Sequence, residues 1–475
     1  NNGPVKALLI QPPAGRAEAP VIEAPAARLF APPWRLLCLR AHLLQKTRHL
    51  CAIADCRLFT SLEQELEEAV RSFGADVAVV NTTTVGLGEA AAVLDILKRR
   101  SPHIVTVVCG KHPSQFPPYA ADLPRADYAL AGDPEPILRD LLDRLDTPQR
   151  LAKVPGLGTA EQPATEAFWL DHLRMLSPPE WDGVFWDAYR LAGTEKCRAV
   201  ARLSRGHTRC PADRAFGAVH EPLRIWPMDR LAASIQKCPA QGIGEVFFDD
   251  PPGVWTPERL QQWCRALLAI QNVQPWALRM LPTHITDDSM QLLTQSLCRR
   301  IEFLFPSCDP EILRLHGCVI SPPELSTTLS LLESNGISTQ IRFWMGGPEE
   351  KPEEAGRVLH TIRQLGCRTY ALQAFPLLLD APICEDHSES ISALMEEWLQ
   401  WAVDPWTHER PSTLWRGAEQ AAVLEESFAH IQRSVRRNPV RILKRLWAVL
   451  RQRNWIAFLE DRAVGLLTLP TNKGG

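Results

Sequence analysis

Short apolar runs separated by amphipathic stretches set the rhythm of the first third of the chain. Val5–Ile10, Leu50–Ala54, Ala75–Val80, Ile104–Val108 and Tyr128–Ala131 have the length and composition of buried strands. Between them, Leu62–Phe73 and Gly88–Arg99 carry apolar residues at helical spacing. Strand alternating with helix predicts a parallel, doubly wound α/β sheet. Ala152–Ser177, rich in Pro, Gly and Thr, interrupts the rhythm and reads as a linker. Strand candidates then return at Ala199–Leu203, Glu245–Phe248, Ala277–Leu281, Ile301–Phe305, Ile337–Phe343 and Thr369–Phe375. Helical patterns lie between them at Thr256–Leu268, Asp287–Cys298, Pro322–Asn335 and Pro352–Leu365. Thr256 suits an N-cap, with proline at the first helical position. Such repeated units predict a (β/α) barrel, whole or partial. Past Cys384 only helical patterns remain: Ser388–Trp401, Gly417–Arg437 and Pro439–Arg453. The predicted organisation is a doubly wound domain over 1–150, a linker over 151–194, a barrel-like unit over 195–385 and a helical segment over 386–475.

Composition narrows the function classes. A formal net charge of -3 over 475 residues gives no strong pull toward nucleic acid. The thirteen cysteines show no paired spacing, and nothing near the first residue reads as a signal peptide. They are expected to be buried, reduced thiols of a cytoplasmic protein. No apolar run approaches the ~20 residues that a membrane-spanning helix needs. From Arg433 to Arg453 the charges are all positive, which suits a solvated helix face or one that meets a membrane surface, an acidic partner or RNA.

Doubly wound sheets bind ligands beyond the carboxyl ends of their strands. The candidate residues there are Asp55; Thr82, Thr83, Thr84 and Val85; Gly110, Lys111, His112, Pro113 and Ser114; and Gly132, Asp133 and Glu135. Taken singly, each group also suits a turn that does nothing but turn. In the second unit, the loop Ser204–Gly217 follows the first strand, at the end where barrels carry their catalytic groups. Its candidates are His207, Arg209 and Arg214, with Cys210 beside them. Asp249 and Asp250 end the next strand. Neighbours on a strand point to opposite faces, so one is expected to face the site and the other to cap the following helix.

The order of these motifs resembles cobalamin-binding radical S-adenosylmethionine (SAM) enzymes. That family has an N-terminal strand ending in Pro-Pro (here Pro12-Pro13), an Asp after the second strand and a Ser/Thr-rich turn after the third. A G-G-x-H-P-S-like turn (here Gly110–Ser114) and a G-E-G-E-like turn (here Gly132–Glu135) follow. Ser177-Pro178-Pro179-Glu180-Trp181-Asp182 resembles its interdomain P-x-x-W-D. Phe247-Phe248-Asp249-Asp250 resembles F-x-D-D, and Gly346-Gly347-Pro348-Glu349-Glu350 resembles G-x-P-x-E. The resemblance implies a cobalamin site at the first sheet, with no cobalt-ligating histidine, since Asp55 is followed by Cys56-Arg57-Leu58 rather than D-x-H-x-x-G. It departs from the family at the cluster loop, S-R-G-C-x3-C-x2-C, where the ligand positions hold His207, Pro211 and Arg214. Proline cannot ligate iron, and arginine stays protonated. A glutamate expected near the SAM site is Pro306. The sequence therefore predicts no four-iron four-sulfur cluster and no site for another metal ion, and leaves open whether SAM binds. Two readings follow: cluster-independent cobalamin chemistry, such as methyl transfer, on a small molecule or peptide; or a non-catalytic partner of an active radical SAM paralogue.

Overall fold

The computed structural model describes residues 3–13, 21–22, 31–83, 86–118, 123–189, 197–208, 210, 221–238, 243–271, 273–283, 285–318, 320–345, 354–365 and 370–374. Thr84, Val85, Arg209, Pro211, Arg214, the Gly346–Glu350 turn and the predicted helices beyond 386 lie outside the described residues.

In chain order the first unit comprises β1 (Lys6–Gln11), β2 (Val21–Ile22), α1 (Trp34–Lys46), β3 (Leu50–Asp55), α2 (Leu62–Phe73), β4 (Val77–Asn81), α3 (Leu87–Arg100), β5 (Val105–Cys109), α4 (Lys111–Gln115), β6 (Tyr128–Leu130), α5 (Pro134–Leu142) and β7 (Leu157–Gly158). Its sheet has the order β3-β1-β4-β5-β6-β7, parallel except for β7. The strands are apolar on both faces because both are covered. On one face, Leu36, Leu39 and Leu43 of α1 and Ile137, Leu138 and Leu141 of α5 pack on Ala7, Leu9, Val77 and Val79. On the other, Leu66 and Val70 of α2 and the buried side of α3 pack on Leu8, Ile10, Ala78 and Val80. The predicted linker is partly built in: β7 lies within it, and Phe168 bridges to Gly132.

The second unit contributes β8 (Cys197–Ala201), β9 (Ser204–Arg205), β10 (Arg224–Ile225), α6 (Met228–Gln236), β11 (Ile243–Phe248), α7 (Pro257–Leu268), β12 (Trp276–Met280), α8 (Asp287–Gln295), β13 (Cys298–Phe305), α9 (Pro310–Leu315), α10 (Pro322–Ser334), β14 (Ser338–Met345), α11 (Glu354–Leu365) and β15 (Tyr370–Ala374). β8 and β11 to β15 form a parallel run in the order β15-β14-β13-β12-β11-β8, and the short β2 of the first unit closes its edge, antiparallel to β15. Local signals fix the helices. Thr256 accepts from the Arg259 amide ahead of Pro257, and Ser321 and Glu324 form a reciprocal capping box.

Helix α1 belongs to both cores. Its Leu36 and Leu39 face the first sheet, whereas Trp34, Leu37 and Cys38 join the large cluster behind the second. The Trp181 ring lies tilted at 5.9 Å from that of Trp34 and 5.8 Å from that of Trp186, so the connector aromatics pack the junction. No helix among the described residues is long and apolar enough to cross a membrane.

Candidate functional site

The carboxyl ends of the first sheet and the loop after β8 meet, and the contact is ionic. Arg205 donates from Nη1 to Asp133 Oδ1 (3.0 Å) and Glu135 Oε2 (2.9 Å), and from Nη2 to Glu135 Oε1 (2.5 Å). Arg224, paired with Arg205 across the β9–β10 ribbon, donates to Asp133 Oδ2, to the Leu170 carbonyl (3.0 Å) and to Glu221 (3.2 Å). All four carboxylate and guanidinium groups of the Asp133–Glu135–Arg205–Arg224 set are buried or nearly so. Burial opposes ionisation of Asp133, but the Arg205 and Arg224 guanidiniums hold its carboxyl below the usual range. The sequence marks Asp133 and Glu135 as cofactor contacts; the structure commits their carboxylates to joining the two sheets.

The glycines of these turns are required by the chain itself. Gly110 has φ +113, and a Cβ there would lie 2.6 Å from Asn81 Oδ1 and 2.7 Å from the Thr82 carbonyl. Gly132 has φ +111, and its Cβ would lie 1.9 Å from the Phe168 carbonyl. Ser114 ties the two turns together: its hydroxyl donates to the Gly110 carbonyl (2.7 Å) and accepts from the Gly132 amide (2.9 Å). The Thr82 hydroxyl donates to the Val80 carbonyl (3.2 Å), and the Thr82 carbonyl accepts from the His112 amide (3.1 Å). His112 and Pro113 are buried, and burial pulls the His112 imidazole down to about 4, so it is neutral at physiological pH. Thr83 and Lys111 remain half-buried at the edge. Next to them Gln115 keeps a buried Oε1 with no hydrogen-bond partner among the described residues, an acceptor that sequence reasoning missed.

Asp55 is also occupied. Its carboxylate accepts from Arg57 Nε (2.7 Å) and Nη2 (2.5 Å), from the Arg57 amide (3.2 Å) and from the Tyr189 hydroxyl (2.8 Å). Burial and the adjacent Asp55 charge raise the Tyr189 phenol, which stays protonated and donates. Asp55 thereby anchors the connector to the end of β3.

In the second unit, Asp250 caps no helix, contrary to expectation. It is fully buried and accepts from the Leu203 amide (2.9 Å), the Ser204 amide (2.8 Å) and the Ser204 hydroxyl (2.6 Å). It thus holds the start of the loop after β8, while Thr256 caps α7. Burial raises its carboxyl to about 6 despite those three donors. His207 pairs with Pro222, and its Nδ1 lies 2.8 Å from the Thr208 carbonyl. Cys210 Sγ lies 3.3 Å from the His316 carbonyl and 3.9 Å from His316 Nδ1. No group of three His, Cys, Asp or Glu side chains able to hold a metal ion occurs among the described residues.

Asp249 opens a different array. Its carboxylate lies between Arg279 (2.6 Å) and Arg202 (3.3 Å) on the sheet face opposite the helices. Along that face Glu302 accepts from Arg279 (2.5 Å) and Arg342 (2.8 Å), and Glu245 pairs with Arg300 (2.5 Å) and Arg198 (2.9 Å). Burial alone would raise the Glu302 carboxyl, but Arg279 and Arg342 hold it well below the usual carboxylate range. Of these only Asp249 was singled out from the sequence. The available signal was a period of two, charge alternating with apolar residue, in Arg198-x-Val200-x-Arg202 and Glu245-x-Phe247-x-Asp249.

No family model matches the chain. The anaerobic magnesium-protoporphyrin IX monomethyl ester cyclase of Rubrivivax gelatinosus is 21% identical over 319 residues, covering 61% of this chain and 54% of the cyclase. The chain thus spans about half the length of that curated relative. Among solved structures, the radical S-adenosylmethionine methyltransferase TsrM from Kitasatospora setae, with tryptophan substrate and a SAM analogue bound, superposes with a TM-score of 0.65 at 16% identity. That match covers 81% of this chain and 76% of TsrM. TsrM with cobalamin and a [4Fe-4S] cluster bound gives 0.64 at 15% identity, over 82% and 78% of the two chains. The cobalamin-dependent S-adenosylmethionine radical enzyme OxsB, with aqua-cobalamin bound, gives 0.57 at 15% identity, over 84% of this chain and 56% of OxsB. The chain therefore has the fold of cobalamin-dependent radical SAM enzymes.

Proposed function

We propose that this chain binds cobalamin between its two units and carries out cluster-independent chemistry, such as methyl transfer, on a small molecule or peptide. The observation that carries the reading is a contrast within one site. The turns at Thr82, Gly110–Ser114 and Gly132–Glu135 are held in a tight, mutually bonded frame. The cluster loop, which starts beside them at Ser204 and Arg205, carries in its sequence His207, Pro211 and Arg214 in place of three thiolates. A [4Fe-4S] cluster needs soft thiolate ligands, which these residues cannot supply. The proposed chemistry therefore involves no cluster.

The residues at the sheet edge do fit a cobalamin. Gln115 supplies a buried acceptor without a partner among the described residues, the complement of a side-chain amide of the corrin or of its tail. Thr83 and Lys111 offer further polar contacts, with Thr84 and Val85 following Thr83 in the sequence. Asp133, Glu135 and Asp55 act one step back, fixing the turns and the connector against which the ligand would lie. When bound, cobalamin would supply a metal-held methyl group or a strongly nucleophilic metal centre; the protein supplies position and a dry site.

A specific observation favours a second reading, a non-catalytic partner of an active radical SAM paralogue. The sequence lacks both the cluster ligands and the glutamate whose place Pro306 takes. Co-purification separates the two: a lone chain that turns over a substrate excludes the partner role.

Purified protein incubated with hydroxocobalamin and desalted should retain about one equivalent of corrin absorbance. Gln115→Ala should weaken retention about fivefold, the worth of one hydrogen bond. Protein that stays colourless, or that carries stoichiometric iron and sulfide after anaerobic purification, would refute the proposal.

A further inference from the structure

Helix α1 runs along the seam between the two units, and one charge it carries there is not tied down. At about 3.6 residues per turn, position 35 falls between two apolar stripes. Trp34, Leu37 and Cys38 face the second core, whereas Leu36, Leu39 and Leu43 face the first. The Arg35 guanidinium therefore emerges where the units meet. The charges of Glu221, Arg202, Arg205 and Glu135 act on it, and its own charge reaches the Cys109 thiol. These neighbours belong to the carboxyl ends of both sheets. Cys109 ends β5, Glu135 lies in the first turn of α5 after β6, and Arg202 follows the last residue of β8.

Arginines at this seam are used unequally. Arg205 and Arg224 commit their donors to Asp133, Glu135, Glu221 and the Leu170 carbonyl. Arg35 makes no hydrogen bond among the described residues. Its one ion pair there is with Glu221 Oε2 at 4.0 Å, and the other oxygen of Glu221 accepts from Arg224. A guanidinium presents only donors and keeps its charge, so it calls for an acceptor. Burial above all, with the Arg202 and Arg205 guanidiniums, pulls Arg35 below the ordinary arginine range, and Glu221 and Glu135 do not make this up. The side chain is 34% exposed, against 10% and 4% for Arg205 and Arg224, so a ligand can reach it.

We infer that Arg35 is a binding residue of the site between the two units, and that its guanidinium takes an oxyanion of the ligand held there. Two ligands compatible with the fold carry such a group: the cobalamin tail has a phosphodiester, and S-adenosylmethionine has a carboxylate. Either presents two oxygens to the planar fork of N–H donors, a charge-assisted contact that satisfies donors and charge together. The inference rests on the proposed function in taking the meeting of the strand carboxyl ends as the ligand site, and not on which of the two ligands occupies it.

The test is equilibrium binding to the full chain, with each oxyanion-bearing ligand set beside a probe that lacks the group. Hydroxocobalamin is compared with cobinamide, which has no phosphodiester tail, and S-adenosylmethionine with 5′-methylthioadenosine, which has no carboxylate. Arg35→Gln should weaken hydroxocobalamin or S-adenosylmethionine at least about tenfold and leave its truncated counterpart unchanged. The arm that responds identifies the oxyanion. Arg35→Lys, which keeps the charge and loses the fork, should weaken the same ligand less. Arg71→Gln, at an exposed surface ion pair, should change neither arm. Circular dichroism checks that each variant is folded, and Arg35→Lys keeps the test decisive if the glutamine variant is not. The inference is overturned if wild type binds neither ligand, if Arg35→Gln binds both as wild type does, or if whole and truncated probes weaken alike. A response to S-adenosylmethionine without corrin retention leaves Arg35 standing and removes only the cobalamin reading. Corrin retained equally by wild type and Arg35→Gln, with S-adenosylmethionine binding also unchanged, removes Arg35 and leaves that reading.

Discussion

Asp250 shows how one buried carboxylate can organise a loop. Three donors from Leu203 and Ser204 converge on it, yet burial outweighs them and lifts its carboxyl to about 6. The sign of the pH effect follows. The folded chain holds this proton more tightly than the unfolded chain, where the group titrates near 3.8. Its contribution to stability is fully present below that value and is lost as pH rises through about 6. Asp250→Asn removes the titration but also one acceptor, so the variant should lose about 1–3 kcal/mol at pH 4. Between pH 4 and 7 the gap to wild type should narrow, because only wild type loses this contribution. Urea unfolding at several pH values measures it; a gap that stays constant would show that Asp250 does not titrate in that window. The acid pair was legible in the sequence, and its partner was not. Nothing local in Asp249-Asp250 says that the second residue reaches back across a strand to Ser204.

At the scale of elements, strand and helix positions were largely legible. Leu62–Phe73 is bounded as the sequence predicts, because Ser61 and Gly74 mark its ends and Gly74 takes a left-handed φ of +68. The two-residue strands β2, β7, β9 and β10 were not legible, since pairs of residues carry no periodicity. They are made by tertiary contact. The turns illustrate the same limit. Gly110 and Gly132 were legible as turn glycines, but not the backbone of Thr82 and Phe168 that a Cβ at either position would meet. Gly132→Ala should therefore cost at least about 3 kcal/mol, from strain at positive φ together with a clash against a carbonyl that cannot yield. Gly317 provides the control. Its φ is +79 but nothing lies within 4 Å of an added Cβ, so Gly317→Ala should cost only about 1 kcal/mol. Thermal melts of the two variants compare them directly, and equal losses would show that the Phe168 contact yields at little cost.

At the scale of the molecule, the question is what makes two sheets with separate cores behave as one body. Helix α1 supplies a shared apolar wall, but the specificity of docking lies in Arg205 and Arg224 against Asp133 and Glu135. Such a buried ionic set is weak evidence for net stability, because desolvation offsets much of the Coulomb attraction. Its asymmetry is the informative property. Removing one member leaves a charge buried without its counterpart, so Glu135→Leu or Arg205→Met alone should each cost about 3–5 kcal/mol. The double variant Glu135→Leu/Arg205→Met removes both charges and should recover most of that loss. Its recovery should be incomplete, since Arg205 also reaches Asp133 and lies 5.8 Å from the Trp226 ring. A double-mutant cycle on unfolding free energies reads the coupling. Because the pair is shielded from solvent, the coupling should change little between low and high salt, unlike that of the exposed Arg71–Glu68 pair. Additive losses with no recovery would mean that Glu135 and Arg205 do not dock the two units as a pair. In that case the turns at Gly132 and the loop at Ser204 would be neighbours without being coupled, and corrin binding should then be insensitive to Arg205→Met.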